Sequence, residues 1–248
     1  MKIYKYRDLS KINKTTFEYL YQIIFHKMIW CASPDSLNDK DEFIFKCEYN
    51  PTEFTISLLT QVHQRYGHLV VGQAQSQLMA ANFMKNNWEV VTQLIFKDMV
   101  DKCRRELGLA CFSSSKNNDI LWERYGGCGN GLCIGIEVPD DLMNKTLFRV
   151  NYVEEKIFHI DSILESALFN DKTINAYRNI LLTKTMRWKS EKEVRIVTKQ
   201  QNIQMHINGS FITDIIFGKS IELEILNKIK KDIQRNSQCQ SIILTELA

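Results

Sequence analysis

Proline and glycine are scarce in this chain, with three prolines, at 34, 51 and 139, and ten glycines among 248 residues. No Gly/Ser-rich linker, low-complexity stretch or repeat interrupts it, so the sequence reads as one domain over 1–248. The cysteines at 31, 47, 103, 111, 128, 133 and 239 are odd in number and form no CxxC. That excludes a disulfide framework read from spacing and points to free thiols in a reducing, cytoplasmic compartment. No run approaches the roughly 18 apolar residues of a membrane span. The opening MKIYKYRDLS lacks the apolar h-region of a secretory signal. Neither a membrane partner nor export is expected. The net charge of +3 is too small to indicate nucleic-acid binding by itself.

Several chemistries lack their marks. His63 and His68 stand five apart, off a common helical face, and His26, His159 and His206 are isolated, so no metal set is expected. No GxSxG turn is present, and Cys111 and Cys133 lie in apolar runs where burial makes a thiol inert. There is no Gly-rich phosphate loop and no regular βαβα alternation, which argues against a doubly wound nucleotide fold.

What is present suits a packed core, with 44% hydrophobic and 25% charged residues. Alternation predicts a strand over 2–8, and a helix follows over 13–28 with Asn13 or Thr15 as cap. Strands are expected at 29–34 and 43–49, separated by an acidic, turn-rich loop. Residues 52–106 read as two or three helices forming an insertion. A strand at 107–115, a short capped helix at 118–127 and a buried strand at 131–139 come next, then a strand at 147–154. Residues 160–188 read as helical. Strands at 193–199, 211–218 and 241–247 and a helix at 221–235 complete the pattern. The sum is an α+β fold with a mixed, largely antiparallel central sheet.

Four features carry candidate chemistry. Tyr6 and Arg7 fall on opposite faces of the first strand, and an arginine fork matches phosphate oxygens. Ser33 and Ser113 end strands, where a serine either satisfies a turn or meets a ligand. In LWERYGGCGNGLCIGIEV, the glycines and Tyr125 are either a helix cap leading to a core strand or a ligand loop with an aromatic wall. In MRWKSEKEVRIV, Glu191 and Glu193 place two like charges two residues apart. Either the flanking Lys189, Lys192 and Arg195 relieve them, or two carboxylates have two jobs.

Taken in order, YKYRDL, IWCASPDSLNDKDEF, ACFSSSKNNDILWERYGGCGNGLCIGIEV and KTMRWKSEKEVRIV resemble a bacterial family, domain of unknown function 2971. The family's usual Asn-Asp-Pro-Phe-Asp is here Asn38-Asp39-Lys40-Asp41-Glu42. Its usual histidine before Gly-x-Cys is replaced within Cys128-Gly129-Asn130. The layout also resembles the ADP-ribosyltransferases, which carry an Arg on the first core strand, a Ser or Tyr on a second and a Glu-x-Glu on a later one. Arg7, Ser33 or Ser113, and Glu191-x-Glu193 fill those places.

That resemblance implies an ADP-ribosyltransferase-like split sheet and NAD as substrate. Glu193 would stabilise the oxocarbenium-like state and Glu191 would accept a proton from the attacking group. Arg7 would hold the pyrophosphate, and Tyr6 and Tyr125 would stack on a ring of the ligand. It further implies a toxin or anti-phage effector with an inhibitor partner. The six cations of 184–199 favour a nucleic-acid acceptor, RNA or DNA, over protein. The competing readings are a non-catalytic nucleotide- or partner-binding module and a nuclease using Asp39, Asp41 and Glu42.

Overall fold

The computed structural model describes residues 1–11, 13–48, 52–55, 57–58, 61, 88–140, 147–159, 161–162, 165 and 177–247. The chain divides into two compact units. One comprises Met1–Ser36, Glu106–Val150 and Arg187–Ala248, and the other Leu37–Arg105 and Asn151–Met186.

The strands of the first unit are β1 (Lys2–Arg7), β2 (Met28–Cys31), β4 (Gly108–Ser113), β5 (Leu132–Glu137), β6 (Leu147–Arg149), β10 (Glu193–Thr198), β11 (Ile203–His206), β12 (Phe211–Phe217) and β13 (Ile243–Glu246). Those of the second are β3 (Lys46–Glu48), β7 (Asn151–Val153), β8 (Ile157–His159) and β9 (Thr183–Thr185). Helices α1 (Lys14–His26), α3 (Asp119–Arg124) and α4 (Leu223–Arg235) belong to the first unit. Helix α2 (Trp88–Glu106) belongs to the second apart from its last residue.

A seven-stranded sheet in the order β13-β12-β5-β1-β4-β10-β6 organises the first unit. Every neighbouring pair is antiparallel except β12–β13. The fold is therefore α+β around a mixed, largely antiparallel sheet, as expected. Alternation sorts the side chains. Ile3, Phe112, Ile134, Val194 and Phe217 share a core with Leu20, Ile23 and Ile24 of α1 and Leu226, Ile229 and Ile233 of α4. On the opposite face Tyr4, Tyr6, Cys133 and Ile216 pack under Leu121 and Trp122 of α3. Strand β5 reads as nearly continuous apolar sequence because both of its faces are covered.

The helix ends follow local chemistry. Asn13 caps α1 by accepting the Thr16 N–H at 2.9 Å, and Lys27 closes it in the left-handed region at φ 53°. Asn118 caps α3 by accepting from the Leu121 N–H.

In the second unit β3 pairs with β8 and β7 with β9, both parallel. Thr183–Thr185 is thus a strand where the sequence reads as helix. Two β-branched threonines flank a buried lysine there, and pairing with Asn151–Val153 overrides the helical reading. Met186–Glu191 is a 3-10 turn. Most of the expected 52–106 insertion, with His63 and His68, lies outside the described residues; 53–55, 57–58 and 88–106 are helical. Strands β8 and β11 were not expected.

Gly131 locks β1 to β5. A Cβ at this position would meet the Arg7 carbonyl oxygen at 2.0 Å, so any side chain pushes the end of β1 away. Gly131→Ala is expected to lose about 1–3 kcal/mol of stability in urea denaturation. Unchanged stability would show that the approach of the two backbones is not needed.

Candidate functional site

Strand β1 carries its charges in an unusual way. The alternation that puts Ile3 into the α1-side core puts Lys5 and Arg7 on the same face. Lys5 donates from Nζ to the Cys111 carbonyl at 2.7 Å and stands 5.2 Å from the Phe112 ring centroid. The Arg7 Nε is buried, and among the described residues it has no hydrogen-bond partner. Among the described residues no carboxylate pairs with either cation.

Both line a cavity of about 450 Å³, within the roughly 300–1,000 Å³ range of small-molecule sites. Asn13, Thr15, Thr16 and Tyr19 of the first turns of α1 form one wall, and Arg124 and Tyr125 at the end of α3 another. Asp8 supplies the rim's acidic group; its Oδ1 accepts from the Ser10 N–H at 2.8 Å. Lys5, Arg7 and Arg124 therefore outnumber one acid. The first turn of α1 contains no acidic residue, so the positive end of its dipole adds to the same field. The arrangement suits an anion.

Burial lowers the Arg7 pKa, opposed by Tyr19. Burial, aided by the Arg7 charge, pushes Lys5 down to about 8, against the opposing influence of Cys111, Glu193 and Cys31. Each cation is held in the fold at some cost to stability, and an anion would repay it.

The carboxylates sit differently. Strand β10 begins at Glu193; Glu191 ends the preceding 3-10 turn, and Lys192 between them takes φ 45°. They do not stand side by side on one strand face. Glu193 is buried and accepts from Arg195 twice, Nε to Oε1 at 2.8 Å and Nη2 to Oε2 at 3.2 Å. Glu191 is also buried. Its Oε1 accepts from the Tyr125 hydroxyl at 2.9 Å and from Arg124 Nη1 at 3.3 Å. Neither glutamate lines the cavity, but Arg124 and Tyr125 do.

Of the sequence candidates, the cavity brings together Arg7, Tyr6 and Tyr125. The Tyr6 hydroxyl donates to the carbonyls of Ser115 at 3.0 Å and Lys116 at 2.8 Å. Its ring meets Trp122 edge-on at 5.3 Å, so it is a wall held from behind. Ser113 donates to the Glu191 carbonyl at 2.7 Å and accepts from the Ser115 N–H at 3.0 Å. It ties the glutamate turn to β4. Ser33 accepts from the Asp35 N–H at 3.3 Å in a turn after β2 and does not line the cavity.

Lys5, Tyr19 and Arg124 were not singled out from sequence. Lys5 was legible, since it precedes Arg7 by two residues on a strand. Tyr19 and Arg124 carry no local signal. Within 184–199, Lys184 and Arg195 are buried, which leaves four exposed or half-exposed cations of the six. In the second unit Asp39 and Glu42 are buried. There the Asp41 N–H donates to Asp39 Oδ1 at 3.0 Å, and Lys156 donates to the backbone carbonyls of Asp41 and Glu42. Among the described residues no three His, Cys, Asp or Glu side chains gather as a metal set, and no helix is long and apolar enough to cross a membrane.

Lys5 yields a signed prediction. Its pKa in the fold lies near 8 against an ordinary 10.5, so the unfolded chain holds the proton more tightly. The charged lysine costs stability below about pH 8, and the cost fades as pH rises toward 10.5. Lys5→Met is expected to be about 1–2 kcal/mol more stable at pH 7, net of the lost contact to Cys111. Urea denaturation should show that advantage shrinking at about pH 9.5; a pH-independent difference would contradict the assignment.

Comparison with known proteins adds one finding. Residues 121–196 match the family model described as protein of unknown function (DUF2971). No curated protein and no solved structure matches the chain. The matched segment holds Arg124, Tyr125, Glu191, Glu193 and Arg195, whereas Lys5 and Arg7 precede it.

Proposed function

Taking the chain as a member of the DUF2971 family, we propose that it binds a phosphate-bearing nucleotide in the cavity at the end of β1. NAD is the proposed substrate and ADP-ribosyl transfer the proposed reaction. The observation that carries the reading is the buried Arg7 Nε, without a partner among the described residues, beside Lys5 in a cavity at the start of α1. A pyrophosphate supplies the missing counter-charge. Its oxygens match the arginine fork, and the first-turn N–H groups of α1 that the Asn13 cap does not take add donors of the kind that phosphates meet at helix starts. Tyr19 and Tyr125 offer aromatic faces to the nicotinamide or adenine ring.

In this reading Glu193 stabilises the positive charge that develops on the ribose as the bond to nicotinamide breaks. Glu191, one hydrogen bond behind Tyr125, accepts the proton of the attacking group. The acceptor is a nucleic acid or a protein. The toxin or effector role, with an inhibitor partner in the same cytoplasm, belongs to the same proposal, as does the split-sheet relationship to the ADP-ribosyltransferases.

One observation favours a second reading, a nucleotide-binding module without catalysis. Each glutamate meets an arginine and neither lines the cavity. The two readings differ in one product. The transferase releases nicotinamide from NAD, and a binding module returns NAD intact.

Arg7→Ala is expected to weaken NAD binding about ten- to hundredfold by calorimetry, the worth of a charge-assisted bidentate contact. Arg7→Lys should recover only part, since a point charge cannot match a fork. Unchanged affinity in Arg7→Ala would remove the cavity from the account.

A further inference from the structure

We propose that Arg124 is shared between the cavity and Glu191, so that an anion entering the cavity draws the guanidinium away from that carboxylate. The inference rests on the nucleotide-binding reading and adds the regulation of its site. Arg124 lines the cavity and Glu191 does not. Their contact is one nitrogen-to-oxygen approach of 3.3 Å, with the Arg124 side chain 41% and the Glu191 side chain 4% exposed. A guanidinium has five N–H donors, and this contact engages one of them.

The Arg124 Cζ lies over the Trp188 ring, 4.7 Å from its centroid. A guanidinium held over a ring by cation–π attraction keeps that contact through small rotations, so Arg124 can change acceptors while staying over Trp188. The cavity already holds the charges of Lys5 and Arg7 without a carboxylate partner among the described residues. An entering phosphate is the stronger acceptor, since it receives the fork through two short contacts where Glu191 receives one long one. Glu191 keeps the Tyr125 hydroxyl at 2.9 Å and loses the Arg124 charge. Tyr125 borders the cavity as well, so that carboxylate lies one side chain from the ligand. Arg124 is in this sense a positioning residue.

The test is calorimetric titration with inorganic pyrophosphate. If Glu191 competes with the anion for Arg124, Glu191→Gln binds pyrophosphate more tightly than the wild type, by about three- to tenfold. Arg124→Met weakens binding, and adding Glu191→Gln to it changes affinity by less than about twofold. Glu191→Asp keeps the charge but withdraws it by one methylene, so it tightens binding in the same direction and serves if the glutamine variant does not fold. A Glu191→Gln protein binding as the wild type does, or more weakly, overturns the sharing. So does equal tightening in the Arg124→Met background, which would mark a general field effect. A wild type that binds no pyrophosphate overturns it too. Nicotinamide release from NAD, measured on the same samples, keeps the two proposals apart. Coupling without release leaves the inference standing and the transferase reading fallen, and release without coupling does the reverse.

Discussion

Strand β1 is paired along its length with β5, Lys2 facing Glu137 through to Arg7 facing Leu132, and the candidate site depends on that register. With Ile3 in the core, Lys5 and Arg7 have no choice of face. A slip of one residue would turn Ile3 to the α3 side and Tyr4 and Tyr6 to the α1 side, and carry both cations away from the cavity. The sheet therefore holds two like charges at the start of a helix whose first turn has no acid. Protein interiors tolerate such an arrangement where a ligand completes it. The apolar core of Ile134, Ile136, Ile215 and Phe217 supplies the burial energy that offsets the cost.

The paired glutamates raised a question of repulsion that the structure resolves locally. Lys192 turns the chain at φ 45°, so the strand begins at Glu193 and Glu191 is left in the turn. Arg195 holds one carboxylate along the strand, and Arg124 and Tyr125 hold the other across from α3. Ser113 pins the turn itself through the Glu191 carbonyl. The glutamates are fixed by separate elements, which is what two separate jobs would require and what a purely structural pair would also tolerate. Chemistry on added nucleotide separates these.

The long elements were legible because their patterns are local. Alternation in KIYKYR, the Asn13 cap, the apolar run of β5 and the 3.6-residue period of α4 each need only a few residues to be read. Short polar strands such as β9 and β11 were not, because pairing with a distant partner decides them. The site divides the same way. Arg7, Tyr6 and Tyr125 were readable as residue types beside a strand end or a glycine turn, and they do border one cavity. Ser33 and Ser113 looked equivalent in sequence, yet their hydroxyls serve backbone turns. Tyr19 and Arg124 enter only because α1 and α3 begin and end beside β1, a tertiary fact with no local trace. Lys5 was available to the same alternation that paired the glutamates.

The central claim is that the cavity bordered by Lys5, Arg7 and the start of α1 binds the phosphates of a nucleotide. Mapping backbone amide chemical shifts during titration with NAD tests it most directly. The account predicts saturable shifts at Arg7, Thr15, Thr16 and Tyr125, reproduced at the α1 residues by pyrophosphate alone. Saturable shifts confined to another region, or none at these residues with NAD in excess, would contradict it.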